Sequence, residues 1–212
     1  NFADHGANRL GATSLLQACV DGYYILPYTM ANYLASEVNI KRPDINHPEF
    51  EQAEAAVNER LLQLIHIQGT KTADYFHKQL GKLLYDKCGL SRSKQGLEEA
   101  IASIKKLSTA FYEELKVSGS ADEINAELEK AGRVADYLEI AVLMCIDALQ
   151  REESCGAHFR EEYQTATGEA LRNDKQFSYI SAWEWTGASK APILHPEHLT
   201  FTFIQPSIRS YQ

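Results

Sequence analysis

The sequence predicts a mainly α fold: an antiparallel, up-and-down helix bundle that carries a small C-terminal β-hairpin region. Three observations support this fold class. Between residues 48 and 150, apolar residues recur at helical spacing in successive segments. Short polar connections separate these segments, which favours antiparallel packing of neighbouring helices. Beyond residue 176 the pattern changes to an alternation of apolar and polar residues, which is typical of strands.

Four helices are predicted in the central region. The first begins at Pro48, because proline is favoured in the first turn of a helix and acidic residues follow it here. The second begins after Thr72, which can act as its N-cap. The third begins after Ser91 or Ser93, and the fourth begins near Ala121. Together they predict an antiparallel up-and-down bundle of the three-helix, spectrin-like kind.

Two other regions flank the predicted bundle. After Thr13, a segment that is apolar nearly all round predicts a helix as far as Leu34, interrupted at Pro27. A helix without a polar face requires burial against a large partner surface. At the other end of the chain, residues 176–185 and 199–204 alternate and are predicted to pair as two antiparallel strands.

Composition excludes several classes of function. The net charge of -8 argues against a nucleic-acid partner, which would require a basic surface. The four cysteines show no metal-ligand spacing, so we expect reduced thiols and no metal site. No apolar run is long enough to span a membrane. Neither a glycine-rich nucleotide-binding motif nor a hydrolase motif is present. The chain begins with Asn1 rather than Met, so we expect a piece of a longer protein.

The N-terminal string from His5 to Gly11, His-Gly-Ala-Asn-Arg-Leu-Gly, has the chemistry of a ligand loop. Its glycines allow the backbone to approach a bulky ligand closely. Arg9 can bind a carboxylate through two parallel hydrogen bonds. The helix that follows offers free N–H groups to an electron-rich ligand. From these residues alone, a plain helix-entry loop with a surface arginine is an equal alternative.

Three motifs resemble one family. The string from His5 to Gly11, with Ser14 and Leu15 after it, resembles the end of the FAD-binding domain in succinate dehydrogenase and fumarate reductase flavoprotein subunits. Residues 153–160, Glu-Ser-Cys-Gly-Ala-His-Phe-Arg, resemble that family's Glu-Ser-Arg-Gly-Ala-His-x-Arg segment. Residues 206–211 resemble its Arg-Ser/Thr-Tyr ending. Residues 23–33 and this ending most resemble the versions of the family found in Bacteroidetes-type bacteria. The three matches occur in the family's order.

The resemblance implies a flavoprotein that interconverts succinate and fumarate by hydride exchange with FAD. It implies that Arg9 binds a carboxylate of the dicarboxylate substrate, and that Ser14 and Leu15 contact FAD through backbone N–H groups. The arginine that moves the proton and the histidine that holds FAD covalently belong to regions that this chain lacks. No catalytic residue is therefore predicted here, and the chain alone is expected neither to hold FAD nor to turn over substrate.

The resemblance also implies a domain organisation and an assembly. Residues 1–46 would be a remnant of the FAD-binding domain, residues 47–155 the helical bundle, and residues 156–212 a C-terminal extension with two strands. The implied partners are an iron–sulfur subunit and a membrane-anchor subunit, at the cytoplasmic side of the inner membrane. The apolar helix of residues 13–34 would make the isolated chain pair with a second copy or fold back on the bundle.

One residue departs from the family pattern: Cys155 replaces the usual arginine. His158 and Arg160 match the pattern and are interpreted as domain-joining residues, and His5 as a residue that positions its loop. Two alternatives stay open from the sequence. One is a free-standing helical protein-interaction module, and the other is a related flavoprotein such as an L-aspartate oxidase.

Overall fold

The computed structural model describes residues 13–187, 190–203 and 205–207. His5 and Arg9 therefore lie outside the described residues. Two compact units make up the chain, Asn1–Val57 and Asn58–Gln212, and each is described by itself. The domain boundaries given above stay predictions.

The N-terminal unit contains an apolar helical segment with a π-helical turn inside it. Helix α1 (Thr13–Val20) leads into a π-helical turn (Asp21–Ile25), and helix α2 (Leu26–Leu34) follows. In the wider turn, the N–H of Leu26 donates to the carbonyl of Asp21, five residues back. Pro27 has no N–H to donate, so a helix must change its hydrogen-bond pattern near it. The predicted interruption at Pro27 takes this form.

Helix α3 (Pro48–Ile65) begins at the predicted proline, with two acidic residues in its first turn. Its final turns, from Asn58 onward, belong to the second unit. There Leu64 is fully buried, and Leu61 and Ile65 pack against the same core. The end of α3 is thus fixed by apolar contact with the bundle.

Helices α4 (Ala73–Cys88), α5 (Lys94–Glu114) and α6 (Ala126–Gln150) form the bundle, and all three have N-caps. The hydroxyl of Thr72 accepts from the backbone N–H of Tyr75, and that of Ser93 from Gly96. The cap predicted at Thr72 is confirmed, and of the two serines predicted for α5 it is Ser93 that forms the cap. Capping matters because the first N–H groups of a helix have no partner within it.

The start of α6 was predicted too early, near Ala121. Its N-cap is Asn125, whose side-chain oxygen accepts from the N–H of Leu128 at 3.0 Å. The same side chain donates to the carbonyls of Ser118 and Ser120. These two bonds hold the preceding residues in a turn, so they cannot form the first turn of the helix.

The ends of the helices show that the bundle is antiparallel. Lys116, just after α5, donates its N–H to the carbonyl of Lys71, just before α4, at 2.8 Å. At the other end of the bundle, the start of α5 lies beside the end of α6. There the backbones of Arg92 and Arg160 form an isolated β-bridge, and the guanidinium of Arg160 donates to the carbonyl of Ala148. The predicted antiparallel three-helix bundle is confirmed.

The core of the bundle is apolar and continuous. Phe76 and Phe111 meet edge to face with ring centroids 5.2 Å apart, a favoured aromatic geometry. Around them, the buried side chains keep the helical spacing that predicted the helices: Leu80, Leu97, Ala100, Ile104, Leu115, Leu128, Ala131, Val134, Leu138, Ala141 and Cys145.

Gly69 lies where α3 has ended and the chain crosses the end of α5. Its N–H donates to the carbonyl of Leu115 at 3.0 Å. A Cβ atom at this position would lie 1.9 Å from the backbone of Glu114. Only glycine permits so close an approach of two backbones.

The C-terminal hairpin consists of strands β1 (Tyr179–Glu184) and β2 (Ile193–His198), preceded by the short helix α7 (Asp174–Phe177). The strands pair antiparallel, from Tyr179 opposite His198 to Glu184 opposite Ile193. Two side chains of β1 attach it to α6: the hydroxyl of Tyr179 donates to Gln150, and the indole of Trp183 donates to Asp147 at 2.7 Å. This attachment matters because two strands alone are marginally stable in water.

The predicted position of the second strand, residues 199–204, was wrong. The N–H of Leu199 donates to the carbonyl of Ser178, which closes the ladder immediately before β1 begins. The strand lies earlier and contains Pro196, opposite Ser181. Proline is tolerated there because each strand of a two-stranded sheet has an open edge. The alternation at residues 199–203 belongs to exposed side chains outside the sheet.

Candidate functional site

The first candidate site lies at the start of α1. Ser14 is half-buried in the first turn of this helix, and the side chain of Leu15 is 65% exposed. No acidic residue is present in the first turn. The N-terminal end of a helix carries the positive end of the helix dipole, which favours an electron-rich ligand.

The apolar surface that follows this helix start is large. None of residues 14–57 is buried. Tyr23 and Tyr33 are each 77% exposed, and Leu16, Leu26 and Met30 are more than half exposed. Many exposed large apolar side chains on one segment are typical of an interaction face.

The second candidate site is the segment that resembles the family's Glu-Ser-Arg-Gly-Ala-His-x-Arg motif. It forms a tight turn in which the N–H of Cys155 donates to the carbonyl of His158 at 2.9 Å. Gly156 adopts a φ of 69°, which residues with a side chain rarely take. The turn brings His158 and Arg160 to the end of the bundle where α4 and α6 finish and α5 begins.

His158 bridges two parts of the junction through both ring nitrogens. Nδ1 accepts from the guanidinium of Arg92 at 2.8 Å, and Nε2 donates to the carbonyl of Arg151 at 2.9 Å. These partners assign the neutral Nε2–H tautomer. Burial lowers the pKa of His158 from its usual value, and the nearby guanidinium of Arg92 lowers it further, against the carbonyl of Arg151. The imidazole is held as a neutral connector.

Arg160 is buried with 1% of its surface exposed. Its guanidinium donates to the carbonyls of Ala148 and Leu149 at 3.0 and 3.1 Å, and to the carboxylate of Glu162 at 3.1 Å. It therefore caps the C-terminal end of α6, where carbonyls lack partners within the helix. The backbone of Arg160 is held in turn by the buried hydroxyl of Ser154.

Two further arginines complete the junction. The Nε of Arg92 donates to the carbonyls of Cys88 and Gly89, which caps α4. Arg151 donates to Glu153 and to the carbonyls of Phe177 and Tyr179, which ties the bundle to the hairpin. Neither role was predicted from the sequence. A cation shortly after the glycine that ends α4 is a known capping signal and could have indicated Arg92.

The carboxylates near Cys155 are already satisfied. Glu153 accepts from Arg151 and from the backbone N–H of Asn173, and Asp174 accepts from Arg172. Burial raises the pKa of the Cys155 thiol, and the charge of Glu153 raises it further. A neutral cysteine therefore fits in place of the family's arginine without leaving either acid unpaired.

The structure brings His158 and Arg160 together in one junction. Ser14 and Leu15 lie in the other compact unit. Two surface depressions, of ≈ 290 and ≈ 210 Å³, contain none of the predicted site residues. Among the residues that the structure describes, no cluster of His, Cys, Asp or Glu could hold a metal ion. Within the same residues, no helix has the length and hydropathy needed to cross a membrane.

Comparison with known proteins agrees with the motifs. The family model described as "Fumarate reductase flavoprotein C-term" matches residues 77–211. The chain belongs to this family. The match covers the bundle from α4 onward, the junction and the hairpin, and it confirms the resemblance inferred from the three motifs.

Individual relatives extend the match over the whole chain. The fumarate reductase flavoprotein subunit of Helicobacter pylori is 28% identical over 210 residues, which is 98% of this chain and 28% of that protein. The succinate dehydrogenase flavoprotein subunit of Bacillus subtilis is 23% identical over 211 residues, 100% of this chain and 34% of that protein. The chain thus spans about a third or less of these relatives.

Solved structures show the same fold. A quinol–fumarate reductase solved with menaquinol superposes with a TM-score of 0.72 at 24% identity, covering 95% of this chain and 33% of that one. A quinol–fumarate reductase of Escherichia coli gives 0.66 at 22% identity, covering 78% and 27%. The family is therefore supported by both sequence and fold.

Proposed function

We propose that this chain is the C-terminal part of an FAD-dependent succinate dehydrogenase or fumarate reductase flavoprotein subunit, which interconverts succinate and fumarate. The observation that carries the proposal is the string around Arg9, directly before α1, in a chain whose bundle belongs to this family. The names of the relatives favour this activity over that of an L-aspartate oxidase.

The start of α1 fits a role in binding FAD. Its first turn includes Ser14 and Leu15 and lacks a carboxylate that would repel an anionic ligand. FAD, when bound, supplies the hydride acceptor and donor of the reaction. Fixed N–H donors beside the flavin would stabilise negative charge without having to reorganise during the reaction.

Arg9 is proposed to hold the substrate. A guanidinium binds a carboxylate through two parallel hydrogen bonds, and this fixes both the position and the plane of a small dicarboxylate. Orientation of this kind contributes to rate because it removes freedom that the reacting molecules would otherwise lose in the transition state. His5, four residues earlier, is proposed to position the loop.

The exposed apolar surface of α1 and α2 supports the proposal that another domain covers it in the full-length protein. Its tyrosines and leucines are those of an interior helix. We propose that the FAD-binding domain covers this surface, and that His158 and Arg160 stabilise the end of the bundle where the domains join. The isolated chain then holds half of a site, so it binds FAD weakly and has no activity. Its pairing with a second copy stays a prediction.

The assembly is proposed from the relatives. The matching structures are quinol–fumarate reductases. By analogy, this chain would assemble with an iron–sulfur subunit and a membrane-anchor subunit, peripherally at the cytoplasmic side of the inner membrane. No nucleic acid is expected as a partner, since the chain carries a net charge of -8.

A chimera tests the proposal. This chain replaces the matching part of the Helicobacter pylori subunit, and fumarate reduction by a reduced dye is measured together with flavin content. We expect activity in the chimera, and a loss of about 100-fold in kcat/KM with Arg9→Met at unchanged flavin content, because one carboxylate contact is removed.

The matched control is Arg133→Met, which replaces an exposed arginine on α6 that forms an ion pair with its helix neighbour Glu129. It should leave both readouts unchanged. Full activity of the Arg9→Met chimera would contradict the assigned role of Arg9. A folded chimera without flavin would contradict the proposed function.

A further inference from the structure

Two of the four cysteines meet in the core of the bundle. Cys88 is the last residue of α4, and Cys145 lies near the end of α6. Cys88 is 7% exposed and Cys145 is 0% exposed, and both belong to the same cluster of buried side chains. The two thiols are within hydrogen-bond contact of each other. Neither takes part in the proposed flavin site.

A cation held by three hydrogen bonds lies at the end of α4, four residues after Cys88 in the chain. The guanidinium of Arg92 donates to the carbonyls of Cys88 and Gly89, and His158 holds its other side. Its charge acts on both thiols. A neighbouring guanidinium favours a thiolate, which is the form of cysteine that reacts with oxidants.

The environment also distinguishes the two thiols. The hydrogen bond from Cys145, together with the charge of Arg92, lowers the pKa of Cys88 to about 7, although burial opposes this. The hydrogen bond to Cys88 and burial raise the pKa of Cys145. Cys88, the more exposed of the two, is thus the nucleophile, and Cys145 is the resolving thiol in contact with it.

We propose that Cys88 and Cys145 form a redox-sensitive pair that a hydroperoxide converts to a disulfide, joining the end of α4 to the end of α6. The thiolate of Cys88 attacks one oxygen of hydrogen peroxide. The O–O bond breaks, water leaves after protonation, and Cys88 becomes a sulfenic acid. The thiol of Cys145 then attacks that sulfur; its proton leaves with the hydroxyl group as a second water.

The balance is two thiols and one hydrogen peroxide to one disulfide and two waters. The bond would close a loop that includes the whole of α5 and most of α6. A cross-link of this length stabilises mainly by restricting the unfolded chain. Oxidation should therefore raise the thermal unfolding midpoint of the bundle, by roughly 5 °C or more.

The test uses the full chain with its two other thiols removed by Cys19→Ser and Cys155→Ser. These positions are exposed and half-buried respectively, and circular dichroism checks that the variant folds. After treatment with hydrogen peroxide, we expect a loss of about 2 Da and no thiol available for alkylation after denaturation. We also expect one peptide that links Cys88 to Cys145, and reversal of all three results by a dithiol reductant.

Two matched variants separate the steps. With Cys145→Ser added, Cys88 should gain one oxygen instead of losing mass, because the resolving thiol is absent. With Cys88→Ser added, the mass should stay unchanged under the same conditions. The proposal fails if the folded parent keeps two alkylatable thiols after peroxide treatment, or if Cys145 oxidises equally fast when Cys88 is replaced.

Discussion

At the scale of single residues, the junction at the end of the bundle depends most on Arg160. It is a charged side chain with 1% exposure, and it satisfies two helix-terminal carbonyls and one carboxylate at once. A buried charge is tolerated only when all its partners are in place, and removal of one partner leaves the others buried without hydrogen bonds. The stability of the junction is therefore concentrated in few contacts.

Arg160→Met should lower the free energy of unfolding by about 3 kcal/mol or more. The carbonyls of Ala148 and Leu149 lose their donors in a site that water cannot reach. Urea unfolding measures the change. The control Arg133→Met removes an exposed pair with Glu129 and should cost about 0.5 kcal/mol or less. Equal effects of the two substitutions would contradict the capping role of Arg160.

His158 should make the stability depend on pH in a defined window. Its pKa is lowered in the folded chain, mainly by burial, so it stays neutral there while the unfolded chain takes up a proton below pH ~6.5. The contribution is complete above that pH. As the pH falls below it, the free energy of unfolding falls, by up to about 1.4 kcal/mol per pH unit.

Chemical unfolding measured from pH 7.5 to 5.5 tests this dependence. His158→Gln should flatten the profile in this range, because the group that titrates only in the unfolded chain is gone. The control His66→Gln replaces an exposed imidazole and should reproduce the original slope. An unchanged slope in His158→Gln would show that the imidazole is not held neutral.

At the scale of elements, the sequence predicted the helix starts that depend on residues close together in the chain. The cap at Thr72 was predicted correctly, and the cap of α5 was narrowed to Ser91 or Ser93, because a side-chain hydroxyl bonds an N–H three residues away. The start of α6 was not, because Asn125 is fixed by bonds to Ser118 and Ser120 across a turn. The second strand was misplaced because pairing depends on the partner strand.

Gly69 and Gly81 form a matched pair that tests packing at the element scale. Gly69→Ala should lower the free energy of unfolding by about 3 kcal/mol or more, because the added Cβ would lie 1.9 Å from the backbone of Glu114. Gly81→Ala has nothing within 4 Å and lies inside α4, so it should stabilise by about 0.5–1 kcal/mol. Thermal unfolding compares the two variants, and similar effects would contradict the close approach at Gly69.

At the scale of the whole molecule, the chain consists of a well-packed bundle and an N-terminal unit without a buried residue among positions 14–57. The bundle was predictable because its helices bury each other. Of the candidate site, the sequence indicated His158 and Arg160 through a motif, but it did not indicate Arg92 and Arg151. Arg92 bonds to His158, 66 residues later in the chain, and Arg151 bonds to Tyr179, 28 residues later. No local sequence pattern reveals contacts over such separations.

This chain is proposed to complete a flavin site whose other half lies in an FAD-binding domain. The most direct test is co-production of the tagged chain with the FAD-binding part of the Helicobacter pylori subunit, followed by the visible absorption spectrum of the captured protein. We predict a stable complex with about one FAD per chain, in which the tyrosines of the π-helical turn and of α2 are protected from solvent. Recovery of the chain alone, colourless and with these tyrosines accessible, would contradict the claim.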